Sequence, residues 1–294
     1  MSVELLNFIE TVLNGLMSGV MYSLVALGFV LIFKASGVFN FAQGVFALFA
    51  ALTLVGFQTG QIPFSHLINE LFGTNLHNWY PSLHSFLAIL LTIVTMIILA
   101  WLVERLVLRH LVNQEPIILF MATIGLAFVL EGVGDLMWGS DVKVLDVGIP
   151  SGGSIWLEEA TIGWASQGSE YYGMYIDVLN VWATLIAIIL VTALALFSQY
   201  TKTGRALRAV ADDHQAALSV GISLRSIWIL VWGISGFIGI VAGIMWGTES
   251  GVQFSLSLIA LKALPVLILG GFTSIPGAIT VSYTHLTLPT ICSV

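Results

Sequence analysis

Apolar residues come in long, largely uncharged runs at about 6–33, 38–57, 84–103, 117–138, 178–199, 226–247 and 256–279. About 20 such residues in a helix cross the roughly 30 Å hydrocarbon core, because lipid satisfies no backbone polar group and a helix satisfies its own. The runs therefore predict an all-α fold, a polytopic transmembrane helix bundle of about seven spans. Composition agrees: 58% hydrophobic residues, 9% charged residues and a mean hydropathy of +1.00 fit no ordinary soluble domain.

Charge sets the expected orientation, since basic loops near span ends stay in the cytoplasm. With the N-terminus outside, Lys34, Arg105, Arg109, Lys202, Arg205, Arg208 and Arg225 fall inside, Lys143 falls in an outer loop, and Lys262 lies near or within the last span. The net charge of -7 comes from acids in the outer loops, so nucleic acid is not an expected partner. Glu4 and Glu10 stand where a cleaved signal peptide would carry basic residues. The first span is expected to remain.

The outer segment 139–177 holds six acids and is broken by Pro150, Gly152 and Gly153, which predicts a small folded loop. Trp79 and Tyr80, before the third span, suit a membrane interface. Gly15 with Gly19, and Gly239 with Gly243, put small residues on one helical face, for close packing or a moving seam.

Three places have the residues for chemistry. The stretch from Lys34 to Gly44 is polar and glycine-rich but too short for a real loop, which predicts a broken helix. Broken helices in transporters line solute paths, where Asn40 and Gln43 would offer amide groups beside Gly44; the alternative is a tight turn with capping amides. The run Leu261–Ala278, interrupted at Gly270 and Gly271, answers it in the second half. Glu131 and Asp135 lie one turn apart, either as a proton site or as the outer rim of a cavity beyond a span ending near Glu131.

The cytoplasmic segment 201–225 contains an Ala-rich amphipathic helix, Thr203–Leu218, stopped near Gly221. Leu207, Val210 and Leu218 form its apolar stripe, and Arg205, Arg208 and Asp212 lie opposite. It is read as a docking helix for a cytoplasmic partner, against a helix resting on the membrane. Catalytic readings fail. Gly233-Ile234-Ser235-Gly236 matches an intramembrane serine protease motif, but no histidine lies in a later span to activate the serine. With no P-loop and no zinc motif, any ATP is used by another polypeptide, and no cofactor or metal is expected.

These residues resemble the permease subunits of branched-chain amino acid ABC transporters, the shorter of the two partner permeases, over residues 5–279. Three stretches carry the resemblance: Gly15–Ile32 with Phe39-Asn40-Phe41-Ala42-Gln43-Gly44; Gly204–Gly221; and Leu261–Ala278. It implies a transport subunit of a bacterial or archaeal inner membrane that is not itself an enzyme. Its partners would be a second permease, two cytoplasmic ATPases and an external solute-binding protein. It also implies alternating access, with a coupling segment including Gly204, Arg205, Arg208, Ala209, Asp212 and Gly221. Similar permeases carry leucine-like amino acids, short amides or urea. The competing mechanisms are a proton-coupled transporter using Glu131 and Asp135, and a passive channel.

Two departures stand out. Members commonly have His where this chain has Gln43, which keeps hydrogen bonding but removes a titratable group, compatible with a changed solute preference. After Ile279 the chain becomes polar and resembles a translated sequencing-library adapter, so the expectation is a permease domain at 1–279, one further span lost and a non-native tail at 280–294 carrying His285 and Cys292. A single cysteine forms no internal disulfide.

Overall fold

The computed structural model describes residues 2–37, 39–73, 82–111, 114–150, 152–153, 155–164 and 173–282. The helices are α1 (Val3–Ser36), α2 (Gln43–Gln58), α3 (Ser65–Phe72), α4 (Ser85–Leu106), α5 (Pro116–Trp138), α6 (Ile155–Ile162), α7 (Val178–Tyr200), α8 (Lys202–Asp212), α9 (His214–Ser219), α10 (Leu224–Ser250), α11 (Ile259–Gly270) and α12 (Ile275–Val281). Tight 3-10 turns occupy Leu108–Leu111 and Phe254–Leu258. Strand pairing among the described residues is limited to two isolated bridges, Lys143 with Val252 and Gly153 with Asp177. The fold is the predicted all-α polytopic bundle.

Five helices are long and apolar enough to cross a membrane: α1, α4 continued to Leu111, α5, α7 and α10. The other two predicted spans yield shorter apolar helices, Gln43–Gln58 and Phe254–Gly270. The reason is local. Gly37, at φ 69°, closes α1 by donating its N–H to the Phe33 carbonyl, and α2 starts only at Gln43.

α2 sits at the centre, and every residue from Gln43 to Gly56 is buried. A helix apolar on all sides gains by being enclosed, and small residues let its neighbours approach. Gly243 of α10 leaves no room for a side chain against the Ala47 carbonyl, Gly239 faces Phe46, and Gly56 lies under the Trp138 ring. The pair Gly239 and Gly243 is therefore a packing face. By contrast, α4 and α7 expose Phe86, Leu90, Val94 and Ile97, and Val181, Leu185, Ile188 and Ile189, an apolar exterior suited to lipid.

Lys34, Arg105, Arg109, Lys202, Arg205, Arg208 and Arg225 gather at one end, where α1, α4 and α7 finish and α5 and α10 begin. At the opposite, far end, the 139–177 connection straps itself to the bundle. Lys143 and Val252 exchange backbone hydrogen bonds of 3.0 and 2.7 Å, and the Asp177 carboxylate caps α7 through the Leu179 N–H. Trp79, Tyr80 and the tail from 283 onward, with His285 and Cys292, lie outside the described residues.

Candidate translocation and coupling sites

The predicted break after α1 climbs back into the bundle. Phe39 stacks on Phe29 of α1 at 4.7 Å, and Gln43 meets Ser235 near the middle of α10, so α2 begins well inside. The Ser235 hydroxyl donates to Gln43 Oε1 at 2.6 Å, and Gln43 Nε2 donates to the Ser235 carbonyl at 3.4 Å. Gly28 of α1 makes room for that amide. Thr123 of α5 clamps the break from the other side: the Phe41 N–H donates to its hydroxyl at 3.1 Å, within 3.3 Å of the Phe39 carbonyl.

Asn40 turns its Oδ1 to the Ala42 N–H at 3.1 Å and leaves Nδ2 buried without a partner. Beside it, between Thr123, Trp228 and Trp232, is a crevice of about 10 Å³, room for about one water. Asn40 and Gln43 are 0% and 1% exposed. Their polar groups are turned into this chain's own packing.

A second interruption comes from the far end. After α10, Gly251 at φ 76° turns the chain, and residues 251–258 descend along α2 until the Ser257 carbonyl touches Gly44. The two breaks therefore meet inside the bundle. The sequence-predicted counterpart, Gly270 and Gly271, instead ends α11, with Gly271 at φ 90°, and lets α12 fold back so that Gly270 and Gly277 are in backbone contact. Phe272 there packs 4.8 Å from Phe33, at the basic end of α1.

Around the second break the surface is open, and its largely apolar walls carry a few polar and charged groups. A cavity of about 270 Å³ runs from Ser250 and Gly251 past Gln253 and Ser255 to Lys262. On the other side of Phe254, Glu131 and Asp135 of α5 line a shallower cavity of about 160 Å³ with Ser140. Gly125 and Gly132 on α5 have nothing within 4 Å of where a side chain would go. α5 continues past Glu131 to Trp138, about two turns further.

At the basic end the predicted single helix 203–218 is two helices meeting at an elbow. Asp213 is extended at φ -154° and its carboxylate accepts from the Gln215 and Ala216 N–H groups, starting α9. Of the apolar stripe, Leu207 and Val210 are buried and Leu218 is 52% exposed, next to Val220 at 73%. Gly204 lies against the Phe197 and Ser198 backbone, so α8 is anchored while the α9 tip projects. Arg205 and Asp212 are exposed, Arg208 and Ala209 half-buried, and Gly221, at φ 84°, ends α9 as predicted. Nearby, Arg225 Nε lies 3.4 Å from Glu104 Oε1, a carboxylate only 2% exposed.

Comparison with known proteins meets this geometry at one point. Residues 11–290 match the family described as branched-chain amino acid transport system / permease component. The chain belongs to this family. It is thus a transport subunit and a multi-pass inner membrane protein, and the match lends no support to proton coupling through Glu131 and Asp135. The high-affinity branched-chain amino acid transport system permease protein LivH of Escherichia coli K12 is 28% identical over 289 residues, 95% of this chain and 83% of the relative. BraD, of the same description, from Pseudomonas aeruginosa is 24% identical over 94% of this chain and 83% of its own. A probable branched-chain amino acid transport permease of Methanocaldococcus jannaschii is 28% identical over 88% and 73%. No solved structure matches the chain.

Several roles have no local mark in the sequence. Ser235 and Thr123 hold the first break, yet nothing local marks a partner 192 or 82 residues away. Lys262 carried a signal, a charge inside an apolar run, and was noted there without a role.

Proposed function

We propose that the chain is one of two permeases in an ATP-driven importer that carries a branched-chain amino acid into the cytoplasm by alternating access. The basic end faces the cytoplasm and the N-terminus faces outward, in keeping with the loop charges. Two cytoplasmic ATPases, a second permease and an external binding protein complete the assembly. The observation that carries this reading is the α8–α9 elbow: its inner stripe is bound to this chain's own bundle, and Leu218 and Val220 stand exposed at the basic end.

A small apolar tip on a helix pair that also exposes Arg205, Asp212 and Asp213 suits a protein groove better than lipid. Force applied there passes through α8 to α1 and α10. Asn40, Gln43 and Gly44 shape the path by holding the first break, and Gly270 and Gly271 let α12 turn back at the cytoplasmic end.

The test is the reconstituted importer in proteoliposomes with leucine, a short amide and urea as solutes. Leu218→Glu is expected to abolish ATPase capture and leucine uptake while the permease pair still assembles. Unchanged capture and uptake would overturn the coupling role, and ATP-dependent uptake of urea or amide alone would replace the solute.

A further inference from the structure

The cavity beside the second break has a lysine that the fold does not explain. Lys262 is exposed and takes part in no ion pair among the described residues. Two cations at the ends of the bundle have partners: Arg225 faces Glu104, and Lys143 donates to Gln61 Oε1 at 2.7 Å. Lys262 instead sits in the first turn of an apolar helix, α11, near the level where Ala260 and Ser257 crowd Gly44. A cation so placed is costly in lipid unless water or an anion reaches it. The cavity of about 270 Å³ supplies that access and approaches the lower size limit of small-molecule pockets.

We propose that this cavity is a solute subsite of the permease and that Lys262 binds the carboxylate of the amino acid. The assignment rests on the importer reading above. Gln253 and Ser255 add hydrogen-bonding groups next to the carboxylate, and Leu258 and Trp246 offer apolar wall for an aliphatic side chain. At the other end of the cavity Ser250 and Gly251 form the carbonyl end of α10, the negative pole of that helix, which suits an ammonium group. A cationic contact, a negative helix end and an apolar wall match a zwitterionic aliphatic amino acid; urea and simple amides have no charge for either end to recognise.

The experiment is leucine uptake by the full complex with its binding protein, comparing wild type, Lys262→Met and Lys262→Arg. Lys262→Met is expected to raise the leucine concentration for half-maximal uptake about tenfold, the scale of one charge-assisted hydrogen bond. Lys262→Arg should stay near wild type. Wild-type uptake matched by Lys262→Met would overturn this assignment alone. No leucine uptake by the assembled wild type would overturn the importer reading as well. Should Lys262→Met fail to assemble, thiol labelling of Ser255→Cys in a Cys292→Ser background decides: slowing by leucine and not by leucinamide, which lacks the carboxylate, supports the site, and equal rates with both refute it.

Discussion

The two breaks meet where Gly44 touches Ser257, yet they treat their polar groups in opposite ways. At the first, Gln43 and Ser235 satisfy each other, Thr123 takes up loose backbone, and Asn40 is sealed beside a crevice the size of one water. At the second, Gln253, Ser255 and Lys262 border an open cavity, and Glu131 and Asp135 border another across Phe254. Both segments look alike as sequence, short polar interruptions of apolar runs. What separates them is enclosure. α2 is wrapped on every side, so the Gln43 amide at its start is paired within the chain, whereas the segment 251–258 buries Val252 and Leu256 and leaves Ser255 and Leu258 exposed.

If the first break is a structural joint, filling it should hurt most. Gly44→Val drives a side chain into the Ser257 carbonyl and Ala260, and should destabilise by about 3 kcal/mol, the upper range for overpacking. Gly132→Val on the open α5 face should cost under about 0.5 kcal/mol. Thermal unfolding of the purified protein in detergent, followed by size-exclusion chromatography, compares them; equal losses would erase the distinction.

Next in size is Arg225→Ala, which strands the buried Glu104 carboxylate. We expect a loss of about 2 kcal/mol, below the range for fully buried pairs because Arg225 is half exposed. Adding Glu104→Gln should recover most of it in a double-mutant cycle. Gln43→Ala should cost about 1 to 2 kcal/mol, the span for a hydrogen bond lost inside a membrane protein, and leave leucine affinity near wild type; a large affinity change with intact stability would move Gln43 into the solute path.

The smallest effect concerns the strap over the second break. Burial holds the Lys143 ammonium below the usual lysine range, with nearby Asp141 opposing the shift. A lysine whose folded pKa is depressed binds fewer protons folded than unfolded, so stability should rise with pH between that lowered value and the ordinary lysine value. Lys143→Met should flatten the slope of the unfolding midpoint in that window; an unchanged slope would place its origin elsewhere.

Much of the architecture was legible because bilayer thickness fixes helix length. All seven apolar runs contain helix, and seven of the nine Arg and Lys sort to one end. Where the reading fell short, long-range packing decided. The short gap between the runs at 226–247 and 256–279 holds a break whose partner is Gly44, far away in the chain. The elbow at Asp213 did have a local mark, an acid poised to cap the next turn. It was read as part of one helix because the apolar spacing continues across it. Gln43 and Asn40 were legible as unusual residues but not as buried ones, since burial depends on α10 and α5 closing over them. Lys262 stood out by charge, and only the cavity beside it gives that charge a use.

The difference between the breaks is tested most directly by accessibility. In a Cys292→Ser background, Ser255→Cys and Gln43→Cys would be exposed to a membrane-impermeant thiol reagent in the working complex, with and without ATP and leucine-loaded binding protein. The account predicts rapid labelling at 255 that solute slows, and no labelling at 43 in either condition. Labelling at 43 that solute suppresses, with 255 indifferent, would contradict it.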